Sequence, residues 1–226
     1  MKLEICAGSL ESALNANRAG AHRIELCQNL ECGGLTPEIP TLKQLLALVD
    51  IPVFVLIRPR AADFVYSDVE FEEMLSAIDL AKETGAHGIV SGILQAENTL
   101  DIERTNILVQ RAGALEFTFH RAFDLIQDKY EALRVLRSIG VNRILSSAGQ
   151  SIALDGLTEL KKLQKMAGND LIILPGGGLI PDHTKAFRTA GFREIHSSAR
   201  RMTSEGPGKM HSDPLIISSY ITALKA

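Results

Sequence analysis

The chain alternates between two hydrophobic patterns. In one, apolar residues recur every three or four positions, which is typical of an amphipathic helix; the other is a short apolar run, typical of a buried strand. Four times a helical pattern ends in Gly and an apolar run follows at once, in the segments ANRAGAHRIEL, AKETGAHGIV, LRSIGVNRIL and FRTAGFREIH. A Gly after the last helical residue favours a left-handed cap, so Gly20, Gly85, Gly140 and Gly191 are each predicted to end a helix and precede a strand.

Further elements lie between these repeats. The other predicted strands are residues 3–6, 53–58, 116–121 and 171–175. Helical periodicity is clearest over residues 68–82, 102–111, 129–138 and 154–166. Eight strand-helix units of about 28 residues each come close to the lower size limit of a closed barrel. The pattern therefore predicts one α/β domain over residues 1–226, a single (β/α)8 TIM-type barrel. An open doubly wound sheet is the alternative, but CAGSLES after the first strand lacks the GxGxxG spacing of a dinucleotide site.

Composition and charge exclude several classes of protein. With 226 residues, 46% of them hydrophobic and 23% charged, the chain is an ordinary globular protein. The net charge is −3 and no basic run carries interleaved aromatics, so a nucleic-acid partner is not expected. The longest charge-free apolar stretches, residues 51–57 and 171–180, are shorter than the roughly 20 residues of a membrane span. Glu4 and Glu11 stand where a secretory signal needs an apolar core, so we expect a cytoplasmic protein.

Strand alternation predicts which side chains face the barrel interior. In a barrel, one set of alternate residues packs against the helices and the other set points inward. Where the first set is apolar, the second is left with polar residues. The inward set predicted in this way is Glu4, Cys6, Glu25, Cys27, Arg58, Thr118, His120 and His196. Active sites of this fold lie at the carboxyl ends of the strands. We therefore expect a functional role for Arg58 and His120, and a structural one for Glu4.

Two of the three cysteines end neighbouring strands. Adjacent strands lie about 4.8 Å apart, so the thiols of Cys6 and Cys27 are expected to be close. Two thiolates at this distance suit the soft ion Cu(I). There are two alternatives: the same distance suits a disulfide, and each cysteine could serve only as a small hydrophobic residue of the core. Free thiols are expected in a reducing compartment. Cys32 lies in a loop and is expected to be incidental. Zinc is disfavoured because no second Cys or His pair has close ligand spacing.

Glycines and a basic residue follow the last two strands. In barrels of this type the loops after strands seven and eight form an anion site, because exposed backbone N–H groups favour negative charge. Gly177 and Gly178 follow strand seven, and Ser198 and Arg200 follow strand eight. Arg200 would supply a bidentate charge. The alternative is a tight turn without a ligand.

The inward polar residues also support an enzyme hypothesis. His120 stands close in sequence to Asp124, and a carboxylate can orient a histidine for general acid or base catalysis. In this hypothesis Glu25 and His120 transfer protons while Arg58 polarises an oxygen of a small phosphorylated or carboxylated metabolite. The sequence identifies no reaction.

Several blocks of sequence resemble the CutC family, named for a proposed role in copper homeostasis. The blocks are LEICAGSLESA, AGAHRIELC, GGLTP, VLIRPRAADFVYSD, FTFHRAFD, RILSSAG, ILPGGG and EIHSSAR. They run in family order over nearly the whole chain. The resemblance implies a TIM-type barrel, a cytoplasmic location, a homo-oligomer that is commonly a dimer, and Cu(I) binding by the cysteines that match Cys6 and Cys27. The chain departs from the family at Ala61 and Ala62, where glycines are usual and a stiffer loop is expected. The favoured function is Cu(I) binding in copper homeostasis.

Overall fold

Eight parallel strands form the centre of the fold in the computed structural model, which describes residues 1–202 and 210–225. The strands are β1 (Lys2–Ala7), β2 (Arg23–Leu26), β3 (Val53–Leu56), β4 (Gly88–Ser91), β5 (Glu116–Phe119), β6 (Arg143–Ser146), β7 (Ile172–Pro175) and β8 (Glu194–Ser197). The helices are α1 (Leu10–Arg18), α2 (Ile39–Leu46), α3 (Asp68–Thr84), α4 (Ile102–Ala112), α5 (Lys129–Ser138), α6 (Leu157–Ala167), α7 (Thr184–Thr189) and α8 (Pro214–Lys225). Strand and helix alternate from β1 to α8 as predicted.

The sheet order makes the molecule a barrel. Hydrogen-bonded neighbours run β7-β6-β5-β4-β3-β2-β1-β8, and each of these pairs is parallel. The two end strands, β7 and β8, meet through an isolated parallel bridge between Gly176 and His196. Beyond β8, an antiparallel ribbon pairs β9 (Arg200–Met202) with β10 (Met210–Ser212). The predicted TIM-type barrel is confirmed.

The local signals for helix ends were reliable. The glycines predicted to follow helices all adopt a positive φ, at 87° for Gly20, 98° for Gly85, 89° for Gly140 and 83° for Gly191. β3 ends two residues before the predicted boundary, because the backbone N–H of Arg58 leaves the ladder and donates to Thr36 Oγ1 at 2.8 Å. This early exit directs the Arg58 side chain into the top of the barrel.

Strand alternation separates an outer core from the interior. The residues predicted to face the helices are all fully buried in one large apolar cluster, and they include Leu3, Ile5, Ile24, Leu26, Phe117 and Phe119. A smaller apolar cluster lies inside the barrel and contains Cys6, Cys27, Phe54, Leu56 and Val90. The polar residues predicted to face inward are buried as well. The outer core therefore fixes the strands, and the interior is left for polar chemistry.

Candidate functional site

A cavity of about 790 Å³ opens at the carboxyl ends of the strands. The predicted site residues on its wall are Cys6, Glu25, Arg58, His120, Gly177, Gly178, Ser198 and Arg200, and His196 joins them. Cys27 is the predicted site residue that does not line this cavity. A Cβ placed on Gly34 would lie 3.3 Å from Cys27 Sγ, so the backbone of that loop covers the thiol.

The two inward cysteines form a close pair of thiols. Their Sγ atoms are 3.7 Å apart, and both residues are free cysteines, so the disulfide alternative is not the observed state. Cys6 also donates to Glu25 Oε1 at 3.1 Å, because the β1–β2 register places Cys6 opposite Glu25. The hydrogen bond with Cys27, burial and the nearby carboxylate together raise the pKa of the Cys6 thiol well above its usual value. Without a metal ion, Cys6 is therefore protonated at neutral pH.

Glu25 and His196 complete a small cluster around Cys6. One ligand atom from each of the three residues lies within 4.8 Å of the other two. Burial raises the pKa of Glu25, whose Oε2 has no hydrogen-bond partner among the described residues. His196 Nδ1 lies 2.7 Å from Glu4 Oε1. Burial acts to lower the pKa of His196, but the hydrogen bond to Glu4 and the charges of Glu25 and Glu4 outweigh burial and raise it.

An ionic layer lies beneath this cluster, deeper in the barrel. Glu4 pairs with Arg23, and Arg23 reaches Glu194 at 2.5 Å. Arg143 continues the chain of ion pairs to Glu194 at 2.7 Å. The guanidinium carbons of Arg23 and Arg143 lie 4.8 and 5.4 Å from the centre of the Phe54 ring. The charge of Glu4 is thus neutralised by Arg23 and His196, and Arg58 takes no part in this pairing.

Sequence reasoning missed most of the charged residues of this layer, although the alternation rule could have found them. Arg23 lies two residues before Glu25 on β2, and Glu194 two residues before His196 on β8. Both residues stand at the first positions of their strands and share the inward side with the residues at the strand ends.

Arg58 is a buried cation that the structure leaves without a carboxylate partner within ion-pair distance in residues 1–202 and 210–225. Its guanidinium donates to the carbonyl oxygens of Cys32 and Gly34 at 3.0 Å and of Ala62 at 2.9 Å. It also lies 4.9 Å from the centre of the Phe64 ring, and its Nε has no hydrogen-bond partner in the part of the chain that the structure describes. Burying a charge without an opposite charge beside it costs on the order of several kcal/mol. The Ala62 carbonyl is presented by a left-handed residue, with φ of 76°.

His120 has a defined tautomer. Its Nδ1 accepts the backbone N–H of Ala122 at 3.2 Å, so the proton of the neutral ring is on Nε2. Nε2 is buried and unpartnered among the described residues. Burial, assisted by the positive charge of Arg58, lowers the pKa of His120 to about 3. At neutral pH, His120 is thus an uncharged hydrogen-bond donor.

The expected pairing of His120 with Asp124 is wrong. The Asp124 carboxylate accepts from Ser146 Oγ at 2.6 Å, from the backbone N–H of Gly149 at 3.1 Å and from Arg121 Nε at 2.9 Å. The short 3-10 turn over Arg121–Leu125 directs Asp124 towards the loop after β6, away from the histidine ring.

The predicted anion-binding residues share one rim of the cavity. Gly177 and Gly178 have φ values of 121° and 60°, and Arg200 Nε donates to Ser198 Oγ at 3.3 Å. A Cβ on Gly177 would lie 3.2 Å from Arg121 Nη1, so only glycine lets this guanidinium pack against the loop. The rim thus combines exposed backbone with two arginines.

Comparisons with known proteins agree with the resemblance. The CutC family model matches residues 1–201. The human copper homeostasis protein cutC homolog is 43% identical over 205 residues, covering 90% of this chain and 75% of the relative. A CutC family protein of Salmonella schwarzengrund is 43% identical over 197 residues, covering 87% of this chain and 79% of the relative.

The comparison with solved structures agrees with the family match. A CutC protein from Streptococcus agalactiae superposes with a TM-score of 0.83 at 32% identity, covering 88% of this chain and 98% of that one. Thiamine phosphate pyrophosphorylase from Pyrococcus furiosus, at 16% identity and a TM-score of 0.65, shares the fold alone. No helix in the described part of the chain is both long and apolar enough to cross a bilayer.

Proposed function

Since this chain belongs to the CutC family, we propose that it binds Cu(I) as cargo in copper homeostasis, through the thiolates of Cys6 and Cys27. The observation that carries this proposal is the 3.7 Å separation of two reduced Sγ atoms inside the barrel. From the family resemblance we also propose that the protein lies in the cytoplasm and forms a homodimer. Analytical ultracentrifugation of the purified chain would test the dimer.

The surroundings of the thiol pair fit a soft, monovalent ion. Thiolates select Cu(I) over harder ions, and two of them complete a low coordination number. Phe54, Leu56 and Val90 form one buried apolar cluster with the two cysteines. Each thiol loses its proton to solvent when the metal–sulfur bond forms, so protons compete with the metal. Because the pKa of Cys6 is raised, we expect Cu(I) affinity to fall as the pH falls.

The test is an anaerobic Cu(I) titration against a competing chelator. Wild type should bind one ion per chain, and Cys6→Ser/Cys27→Ser should lose at least a hundredfold in affinity. Cys32→Ser is the matched control, because its thiol is exposed and bonds only the nearby Asn29 carbonyl. Unchanged affinity in the double variant would contradict the proposal.

A second function is supported by the unpartnered donors in the same cavity. Among the described residues, Arg58 is a buried cation without a carboxylate partner, and His120 presents a buried N–H without an acceptor. An anionic ligand would satisfy both groups. In this proposal an enzyme acts on a small phosphorylated or carboxylated metabolite, with Arg58 polarising an oxygen and Glu25 and His120 taking part in proton transfer. The anionic end is held by Gly177, Gly178, Ser198 and Arg200.

Ligand-dependent melting tests this second function. A ligand that binds only the folded state raises the melting temperature with its concentration. Inorganic phosphate and malonate are suitable probes of the two anion classes. Wild type and Arg60→Met should respond, since Arg60 is not part of the cavity wall and pairs with Glu70 at 2.5 Å, whereas Arg58→Met and Arg200→Met should each respond less. If neither anion stabilises the wild type, the anion site is refuted.

A further inference from the structure

We infer that the barrel mouth contains a site for a divalent cation of the zinc class, with Cys6 Sγ, Glu25 and His196 Nε2 as ligands and one position open to the cavity. The three residues all line the cavity wall. This site shares Cys6 with the proposed Cu(I) site but uses neither Cys27 nor any property of copper. The two sites can therefore be tested independently.

The distances fit a tetrahedral ion. Zinc bonds of about 2.0 to 2.3 Å place tetrahedral ligand atoms roughly 3.3 to 3.7 Å apart. One ligand atom from each of the three residues already lies within 4.8 Å of the other two, and Cys6 Sγ is 3.1 Å from Glu25 Oε1. We expect the three side chains to rotate to bonding distance around the ion. Three protein ligands with a free fourth position are typical of catalytic rather than structural zinc.

The histidine is held as metal ligands usually are. A ligating His donates its other ring N–H to a carboxylate, which fixes the ring and the tautomer. Here His196 Nδ1 is 2.7 Å from Glu4 Oε1, and Nε2 remains for the ion. Glu4 is itself fixed by Arg23 from the ionic layer. The ring of His196 is thus held by Glu4 and, through Glu4, by the ionic layer deeper in the barrel.

Glu25 gives independent support. Its Oε2 is buried and has no hydrogen-bond partner in the part of the chain that the structure describes, which is costly for a carboxyl group. A divalent ion removes this cost and balances the charge. One thiolate from Cys6 and one carboxylate from Glu25 neutralise two positive charges, while the charge of Glu4 is already matched by Arg23. The thiol proton of Cys6 passes to solvent as the metal–sulfur bond forms, and any proton on Glu25 or on His196 Nε2 leaves with it, so that a thiolate, a carboxylate and a neutral imidazole hold the ion.

The chemistry of the donors separates this site from the thiol pair. A mixed set of sulfur, nitrogen and oxygen suits a borderline ion such as Zn²⁺, whereas two sulfurs suit Cu(I). The ligands come one each from β8, β1 and β2, which are adjacent in the sheet. The sequence argued against zinc because it lacks closely spaced ligand pairs. Pairing of adjacent strands supplies the proximity that sequence spacing does not.

The test uses reduced, metal-stripped protein titrated with Zn²⁺ against a chromogenic chelator. Wild type, Cys27→Ser and the exposed-thiol control Cys32→Ser should bind one ion per chain with affinities within about threefold. Glu25→Gln and His196→Gln should lose at least tenfold in affinity, since a change even to a residue that supports a metal ligand typically costs about 10- to 100-fold. Co²⁺ reports the sulfur ligand, because its thiolate charge-transfer band should survive in Cys27→Ser and vanish in Cys6→Ser.

Glu25→Gln is the decisive variant, since its amide oxygen can still accept from Cys6 and the fold should be kept. Far-ultraviolet circular dichroism and melting verify this. The inference is overturned if wild type binds no stoichiometric Zn²⁺, if Glu25→Gln binds as tightly as wild type, or if Cys27→Ser loses as much as Glu25→Gln. Cu(I) titration of the same variants should show the opposite pattern, with loss in Cys27→Ser and retention in Glu25→Gln. Failure of the copper pattern alone refutes the proposed function and leaves the zinc site intact.

Discussion

Arg23 is the cation on which the ionic layer inside the barrel depends. Replacing it in Arg23→Met keeps most of the side-chain volume and removes the charge between Glu4 and Glu194. Glu4 then retains His196, and Glu194 retains Arg143, so two buried carboxylates share one cation fewer. Breaking a buried ion pair on one side costs about 3–5 kcal/mol. For a chain of this length, 1 kcal/mol shifts the melting temperature by about 2–4 °C, so we expect a fall of roughly 6–20 °C.

The cost should depend on pH in a defined direction. Burial acts to raise the pKa of Glu4, but Arg23 and His196 outweigh it and hold that pKa well below its ordinary value of 4.5. A carboxyl group with a depressed pKa contributes stability at pH values above the ordinary pKa, and this stability is lost as the pH falls. Arg23→Met removes much of that contribution. The difference from wild type should therefore be largest near pH 7 and shrink below about pH 4.5.

Urea unfolding followed by circular dichroism at pH 7 and pH 4 measures both effects. The matched control is Arg137→Met, because Arg137 forms an exposed ion pair with Asp170 at 2.7 Å. Exposed pairs contribute about 0–1 kcal/mol, so this variant should resemble wild type. The reasoning is refuted if Arg23→Met loses less than about 1 kcal/mol at pH 7, or if the full loss persists at pH 4.

Two further predictions concern the cavity wall. Because the folded pKa of His120 is about 3 against an ordinary value of 6.5, stability should decline as the pH falls from 6.5 towards 3, and His120→Gln should flatten this slope; ¹⁵N NMR should show a neutral ring with its proton on Nε2 at pH 6. Ala62→Gly should stabilise the protein by up to about 1 kcal/mol in urea unfolding, since glycine adopts positive φ without strain; a loss of stability would contradict this.

The sequence predicted the architecture because its signals were local. Glycine caps and strand alternation depend on a few neighbouring residues, and both described the structure correctly. The site was predicted in part, since Glu25, Arg58 and His120 do meet at one cavity. Partners were harder to predict than positions. Asp124 is close to His120 in sequence, yet a 3-10 turn takes it to another loop, whereas Glu4 and His196 are distant in sequence and in contact.

The single bridge between Gly176 and His196 gives the β7–β8 pair the fewest paired residues of the barrel. Segments held by few backbone hydrogen bonds open locally at lower free energy than fully laddered ones. The seam between these two strands passes through the cavity wall, with the loop of Gly177 on one side and His196 on the other. A ligand that contacts both sides holds β7 and β8 together. Ligand binding is then coupled to closure of the barrel between β7 and β8. Amide exchange in β8 should therefore slow when the cavity is occupied.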